Sequence, residues 1–165
     1  MQHVQTRSTT SALVLTAVLI ALATLFTMYT KIPVPGIRGY FNVGDVVIMT
    51  SALLLGRKYG AYIGAIGPAL ADLFLGYAVF VPITFVVKGI EGYLVGTVYN
   101  NKTTTSALVA TMVGGIVIVA GYFIAEYFIF DPGVAIASIL TNTIQAVMSV
   151  IVSMILYAIL RKRLG

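Results

Sequence analysis

From Ser11 to Tyr29, and again from Val134 to Leu160, the chain runs without a charged residue. Such runs leave few options for folding in water. In lipid they match the roughly 20 residues that a helix needs to cross a hydrocarbon core of about 30 Å. The remainder of the 165 residues agrees: 9% are charged and 59% hydrophobic, with a mean hydropathy of +1.02. Soluble domains carry about 25% charged residues. We therefore expect an all-α integral membrane protein, a single membrane domain over 1–165 with no soluble domain beside it.

Several chemistries lack their parts. There is no Walker-type G-x-x-x-x-G-K-[ST] and no long polar stretch to carry one, so energy input must come from a partner, an ion gradient or not at all. Zero cysteines leave no thiolate metal site or Cys nucleophile. The single histidine, His3, lies in the polar N-terminal segment, so no Ser-His-Asp set, H-E-x-x-H motif or haem pair can form in the membrane. We expect no catalytic residue, metal or cofactor. The net charge of +5 reads as an orientation signal and not as a nucleic-acid footprint.

Apolar runs and breakers predict helices over approximately 11–29, 45–56, 59–75, 83–99, 105–130 and 134–160. The first lacks a small-residue cleavage site after a short core and reads as a retained helix. KIPVPGIRGYFNVG, with its prolines and glycines, cannot continue a helix in lipid, so 31–44 is expected to form an external lid loop. A-V-F-V-P, with Pro82, reads as a re-entrant turn before the fourth helix. Asp131-Pro132-Gly133 supplies the last turn.

Charge placement tests this count of six. With both termini cytoplasmic, Arg7, Arg57, Lys58, Lys102, Arg161, Lys162 and Arg163 fall inside, and only Lys31 and Arg38 outside. Five crossings would put one basic terminus outside. A four-crossing alternative, with 45–75 as a re-entrant pair, would move Arg57 and Lys58 to the wrong side.

Small residues one turn apart mark close helix contacts in lipid, where apolar side chains gain little from meeting each other. Ala17-x-x-x-Ala21 on the first helix and Gly60-x-x-x-Gly64 beside Ala61, Ala65 and Ala69 on the third fit either internal packing or docking of another membrane protein. Charges inside a span cost about 2.5–3.5 kcal/mol each on insertion scales and default to function. Lys88 and Glu91, three apart, share a face; they either neutralise each other or form a polar site in which Glu91 accepts ligand hydrogen bonds and Lys88 compensates the charge. Tyr122 and Glu126 share a face on the fifth helix. Ser138, Asn142, Gln145 and Ser149 form a polar stripe on the sixth that must face the bundle interior. Asp45 is expected to cap the second helix, and Asp72 to cap the following turn or bind Lys31 or Arg38. Tyr40, Phe41 and Asn42, just after Gly39, suit either a lid over a flat ligand or an interfacial anchor.

The alanine-bearing first helix, the Pro/Gly-rich loop into F-N-V-G-D, L-L-L-G-R-K-Y-G-A-Y-I-G, A-L-A-D-L and P-I-T-F-V-V-K-G-I-E-G-Y-L-V-G together resemble the S components of energy-coupling factor (ECF) vitamin transporters over nearly the whole chain. The resemblance implies a non-enzymatic subunit of a prokaryotic plasma membrane that captures a small-molecule vitamin or precursor from outside. It would work with a transmembrane scaffold subunit and two ATPase subunits by toppling in the membrane lipid. It places Ala17 and Ala21 against the scaffold, and builds the pocket from Glu91, Tyr122, Glu126, Asn142 and Gln145 under Tyr40, Phe41 and Asn42. The chain looks most like members linked to hydroxymethylpyrimidine or pyridoxine, with riboflavin and thiamin as alternatives. The rival is an autonomous proton-coupled secondary transporter using Asp72, Lys88, Glu91 and Glu126, although no internal repeat supports it.

Overall fold

The computed structural model describes residues 9–33, 40–99 and 103–164. His3, Arg7, Arg38, Lys102 and the middle of the lid loop, 34–39, lie outside the described residues, as does the side chain of Phe41. Six helices follow one another: α1 (Thr9–Tyr29), α2 (Gly44–Leu55), α3 (Arg57–Phe74), α4 (Phe80–Val98), α5 (Thr104–Ile129) and α6 (Pro132–Leu164). In the external loop, β1 (Ile32–Pro33) pairs antiparallel with β2 (Tyr40–Phe41), Ile32 opposite Phe41 and Pro33 opposite Tyr40. This two-residue ladder was not expected from the sequence. It ties the two ends of the loop together above the bundle.

Two boundaries differ from expectation for clear reasons. α4 begins at Phe80, not near Ile83, because Pro82 falls in the first helical turn, where a missing N–H forfeits no intrahelical bond. The reversal lies earlier, at Gly76, whose φ of 81° is in the left-handed region that glycine adopts without a steric penalty. α6 runs on to Leu164, carrying its basic end beyond the apolar stretch.

α1, α4, α5 and α6 are each long and apolar enough to cross a membrane. α2 has 12 residues, about 18 Å at 1.5 Å per residue, and cannot span alone. It starts deep in the bundle, below the loop, and turns into α3 through Gly56 alone, with φ 87°. A side chain on Gly96 near the inner end of α4 would collide with the Arg57 backbone. The Arg57-Lys58 turn therefore sits level with the cytoplasmic end of α4. That placement agrees with the six-crossing arrangement, in which Arg57 and Lys58 lie at the same end as the close of α4.

Close backbone approach explains the glycines of α3. A Cβ on Gly60 would stand 2.6 Å from the Gly92 carbonyl oxygen, and one on Gly64 would overlap the Lys88 carbonyl. On the opposite side of α3, a Cβ on Gly67 would stand 2.7 Å from that of Ala23, and the Thr24 hydroxyl donates to the Gly67 carbonyl at 2.9 Å. α3 is thus wedged between α1 and α4, and its small residues serve internal packing. Ala17 and Ala21 differ: both are exposed on the face of α1 turned away from the bundle, beside Leu13, Val14 and Val18.

Candidate functional site

Polar side chains from all six helices and the external loop converge below that loop. At the bottom, Lys88 is 2% exposed and Asp45 and Glu91 not at all. Lys88 Nζ lies 2.5 Å from Asp45 Oδ1 and 3.4 Å from Glu91 Oε2, and 5.4 Å from the centre of the Tyr122 ring. Ten residues separate Lys88 from the inner end of α4 and Asp45 from that of α2, so the pair sits about 15 Å from the cytoplasmic ends, near mid-membrane. The cluster extends outward through amides. Gln145 Nε2 donates to Asp45 Oδ2 at 2.7 Å, and Gln145 Oε1 accepts from the Asn42 backbone N–H at 3.0 Å. The Asn42 side chain accepts from the Gly44 N–H at 2.9 Å, which turns the chain down into α2.

Asp45 therefore does not cap α2 as the sequence suggested. The N-cap position is Val43, without a side-chain bond, and Asp45 sits within the first turn, spent on Lys88 and Gln145. An unpaired ammonium at this depth is costly enough to outbid a capping bond. Lys88 and Glu91 do interact, but the shorter contact of Lys88 is to Asp45, from another helix.

Along the walls, the Tyr122 and Thr84 hydroxyls bond to each other at 3.0 Å, and the Ser138 hydroxyl bonds to the Glu126 carboxylate. Glu126 is buried, so it is not an interfacial residue. The roof is aromatic. Tyr40 donates its hydroxyl to Asp72 Oδ1 at 2.6 Å and packs on Tyr77 with ring centres 5.0 Å apart. Lys31 Nζ lies 5.1 Å from the Tyr77 ring centre, and Phe80 meets Phe130 at 5.5 Å. Asp72 thus neither caps its turn through its side chain nor pairs with Lys31; it anchors the loop through Tyr40. Burial, with the Asp72 carboxylate beside it, pushes the Tyr40 phenol above its ordinary pKa, so it stays a donor.

These groups enclose a cavity of about 40 Å³, room for one or two waters. Of the residues expected at a site, Tyr40, Asn42, Lys88, Tyr122, Glu126, Asn142 and Gln145 line it. Glu91 is not among the lining residues; it lies against Lys88. Thr27, Thr84 and Phe80 also line the cavity and were not singled out from the sequence. Thr84 was within reach of spacing, four residues before Lys88 on the same helix face. Thr27 had no such signal, because α1 read as a uniformly apolar span.

Residues 7–162 match the family model described as the ECF-type riboflavin transporter, S component. An uncharacterised protein of Pyrococcus woesei is 41% identical over 145 residues, covering 86% of this chain and 96% of that one. The thiamine precursor transporter HmpT of Lactococcus lactis subsp. cremoris (strain MG1363) is 28% identical over 148 residues, 89% of this chain and 83% of its own length. Among solved structures, the S component of a bacterial ECF transporter superposes with a TM-score of 0.78 at 20% identity, covering 94% of this chain and 98% of its own. An S component for biotin from an ECF-type ABC transporter gives 0.69 at 19%, covering 98% and 95%. Both share the fold of this six-helix bundle. S components bind a vitamin and associate with an energy-coupling module, which replaces the autonomous proton-coupled reading. The chain belongs to the S-component family of ECF-type transporters, as a non-enzymatic, multi-pass membrane subunit that captures substrate.

Proposed function

We propose that the cavity beneath Tyr40 and Asn42 captures a small one-ring vitamin or precursor, with hydroxymethylpyrimidine or pyridoxine favoured over riboflavin or thiamin. The observation that carries this is a mid-membrane cavity walled by hydroxyl, amide and carboxylate groups from α1, α3, α4, α5 and α6 and roofed by a loop. A wall rich in hydrogen-bonding groups, with the rings of Tyr40, Phe80 and Tyr122 among them, suits a small polar ring. The relative HmpT, named for a thiamine precursor, supports the choice of a single ring over a flavin. At about 40 Å³ the cavity is smaller than any such ligand, so capture requires Tyr40, Phe41 and Asn42 to lift as a lid. Tyr122, Glu126, Asn142 and Gln145 then contact the ring and its substituents, while Lys88 forms the floor. Glu91 contributes through Lys88, whose ammonium it holds against Asp45.

Transport is proposed to need a scaffold subunit and two ATPase subunits, with Ala17 and Ala21 at the scaffold contact. Their exposure on the outer face of α1 supports that role. The test is calorimetric titration of the purified chain with hydroxymethylpyrimidine, pyridoxine, thiamin and riboflavin in turn. Saturable binding of a one-ring compound without any partner is the expected result. Uptake by the chain alone in liposomes under an imposed pH gradient would overturn it.

A further inference from the structure

The chain holds ten basic and five acidic residues, a net charge of +5, yet the surroundings of the cavity have the opposite balance. Asp45, Asp72, Glu91 and Glu126, four of the five acids, are buried there, and among the described residues Lys88 is the one basic residue buried with them. Lys88 is spent on Asp45 and Glu91. Asp72 and Glu126, the two carboxylates that line the cavity itself, are met by hydroxyls, of Tyr40 and Ser138 respectively. Hydroxyls solvate a carboxylate without neutralising it, and can rotate to accept when a better donor arrives. Lys31 stands over the ring of Tyr77 at the rim and makes no ion pair with Asp72.

A separate observation points to a ligand at this place. The Thr27 hydroxyl, 1% exposed and lining the cavity, has no hydrogen-bond partner among the described residues. Such a hydroxyl is open to either role toward a ligand, as donor or as acceptor. Rings of Phe80 and Tyr40 complete the lining, and aromatic rings favour cations over anions.

We infer that the ligand carries a positive charge, as a ring cation or an ammonium group, for which Asp72 and Glu126 are the counter-ions. This inference rests on the capture function proposed above, and within its one-ring nitrogen compounds it favours those that carry a cationic or protonated nitrogen over neutral ring alcohols. Carboxylate vitamins are disfavoured by the same count, since an anion would meet two carboxyl groups and no free cation among the described residues, and a neutral flavin would bring them no counter-charge.

The test uses a matched pair. Pyridoxamine and pyridoxine differ by an ammonium in place of a hydroxyl, and thiamin, riboflavin and biotin extend the series as cation, neutral compound and anion. Each is titrated calorimetrically into the intact chain in lipid nanodiscs at pH 7. The expected result is at least tenfold tighter binding of pyridoxamine than pyridoxine, with that ratio falling toward one in Asp72→Asn or Glu126→Gln. Should a variant fail to fold, the wild-type ratio decides alone. Tighter binding of pyridoxine, riboflavin or biotin than of either cation overturns the inference and leaves the capture function standing. Binding of none of the five overturns both.

Discussion

Lys88 and Asp45, 43 residues apart in sequence, bring ammonium and carboxylate to 2.5 Å in a site that is almost fully shielded. The contact joins α4 to α2 near mid-membrane, and Gln145 of α6 completes it from the other side at 2.7 Å. Three helices are held at one depth by one charge cluster. Its removal should therefore be felt as stability before it is felt as binding.

Replacing Lys88 by Met leaves Asp45 and Glu91 facing each other without a counter-charge. Breaking one side of a buried pair costs about 3–5 kcal/mol, whereas replacing both sides with apolar groups is often neutral. Lys88→Met is expected to lower the thermal midpoint in detergent sharply. The triple replacement Asp45→Leu, Lys88→Met, Glu91→Leu should recover most of that loss, as read by a mutant cycle of thermal unfolding.

Gly64 faces the Lys88 carbonyl so closely that any side chain there must displace backbone. Gly64→Val is expected to cost about 3 kcal/mol, the upper end of typical overpacking penalties. Gly56→Ala meets open space but sits at φ 87° and ψ 177°, a conformation nearly confined to glycine, so its cost comes from the backbone and should be about 2 kcal/mol. Comparison of the two thermal midpoints checks the order.

Ala17 and Ala21 are exposed on the outer face of α1. Surface substitutions of that kind usually fall within about 0.5 kcal/mol. Ala17→Leu and Ala21→Leu should leave vitamin binding by the isolated subunit intact and abolish uptake in cells supplying the scaffold and ATPases. Loss of binding in step with loss of uptake would contradict a docking role.

The hydroxyl that Tyr40 gives to Asp72 closes the roof. Tyr40→Phe removes it, and ligand dissociation is expected to accelerate about fivefold, in line with about 1 kcal/mol for one hydrogen bond. The phenol is pushed up in the closed state by burial and by Asp72. A group whose pKa is raised on closing contributes fully below its open-state pKa and loses that contribution as pH rises beyond it. Dissociation rates of the unmodified protein should thus stay flat through pH 9 and rise above about pH 10, with Tyr40→Phe flat throughout. Stopped-flow displacement across this range separates the two.

The residues that would bind were partly legible. Tyr122, Glu126, Asn142 and Gln145 stand out because polar groups at helical spacing in an apolar run must face inward. Glu91 stood out equally, yet lies against Lys88 outside the cavity lining. Helical spacing reports a shared face and not the depth at which each side chain meets the cavity. Asp72 was open to two readings, a cap for its turn or a partner for Lys31 or Arg38 of the loop. Its partner comes from Tyr40, 32 residues away.

What the amino-acid sequence determined by itself is the solvent and the crossing pattern. Run length, breakers and the bias of Lys and Arg are local properties, each set against the bilayer and not against another part of the chain. Which acid meets which base, which hydroxyls close the roof, and that four of the five acids gather around one lysine were decided by the tertiary structure. Those facts depend on the relative depth and rotation of helices up to 100 residues apart, set where glycine backbones touch, as at Gly64 on Lys88.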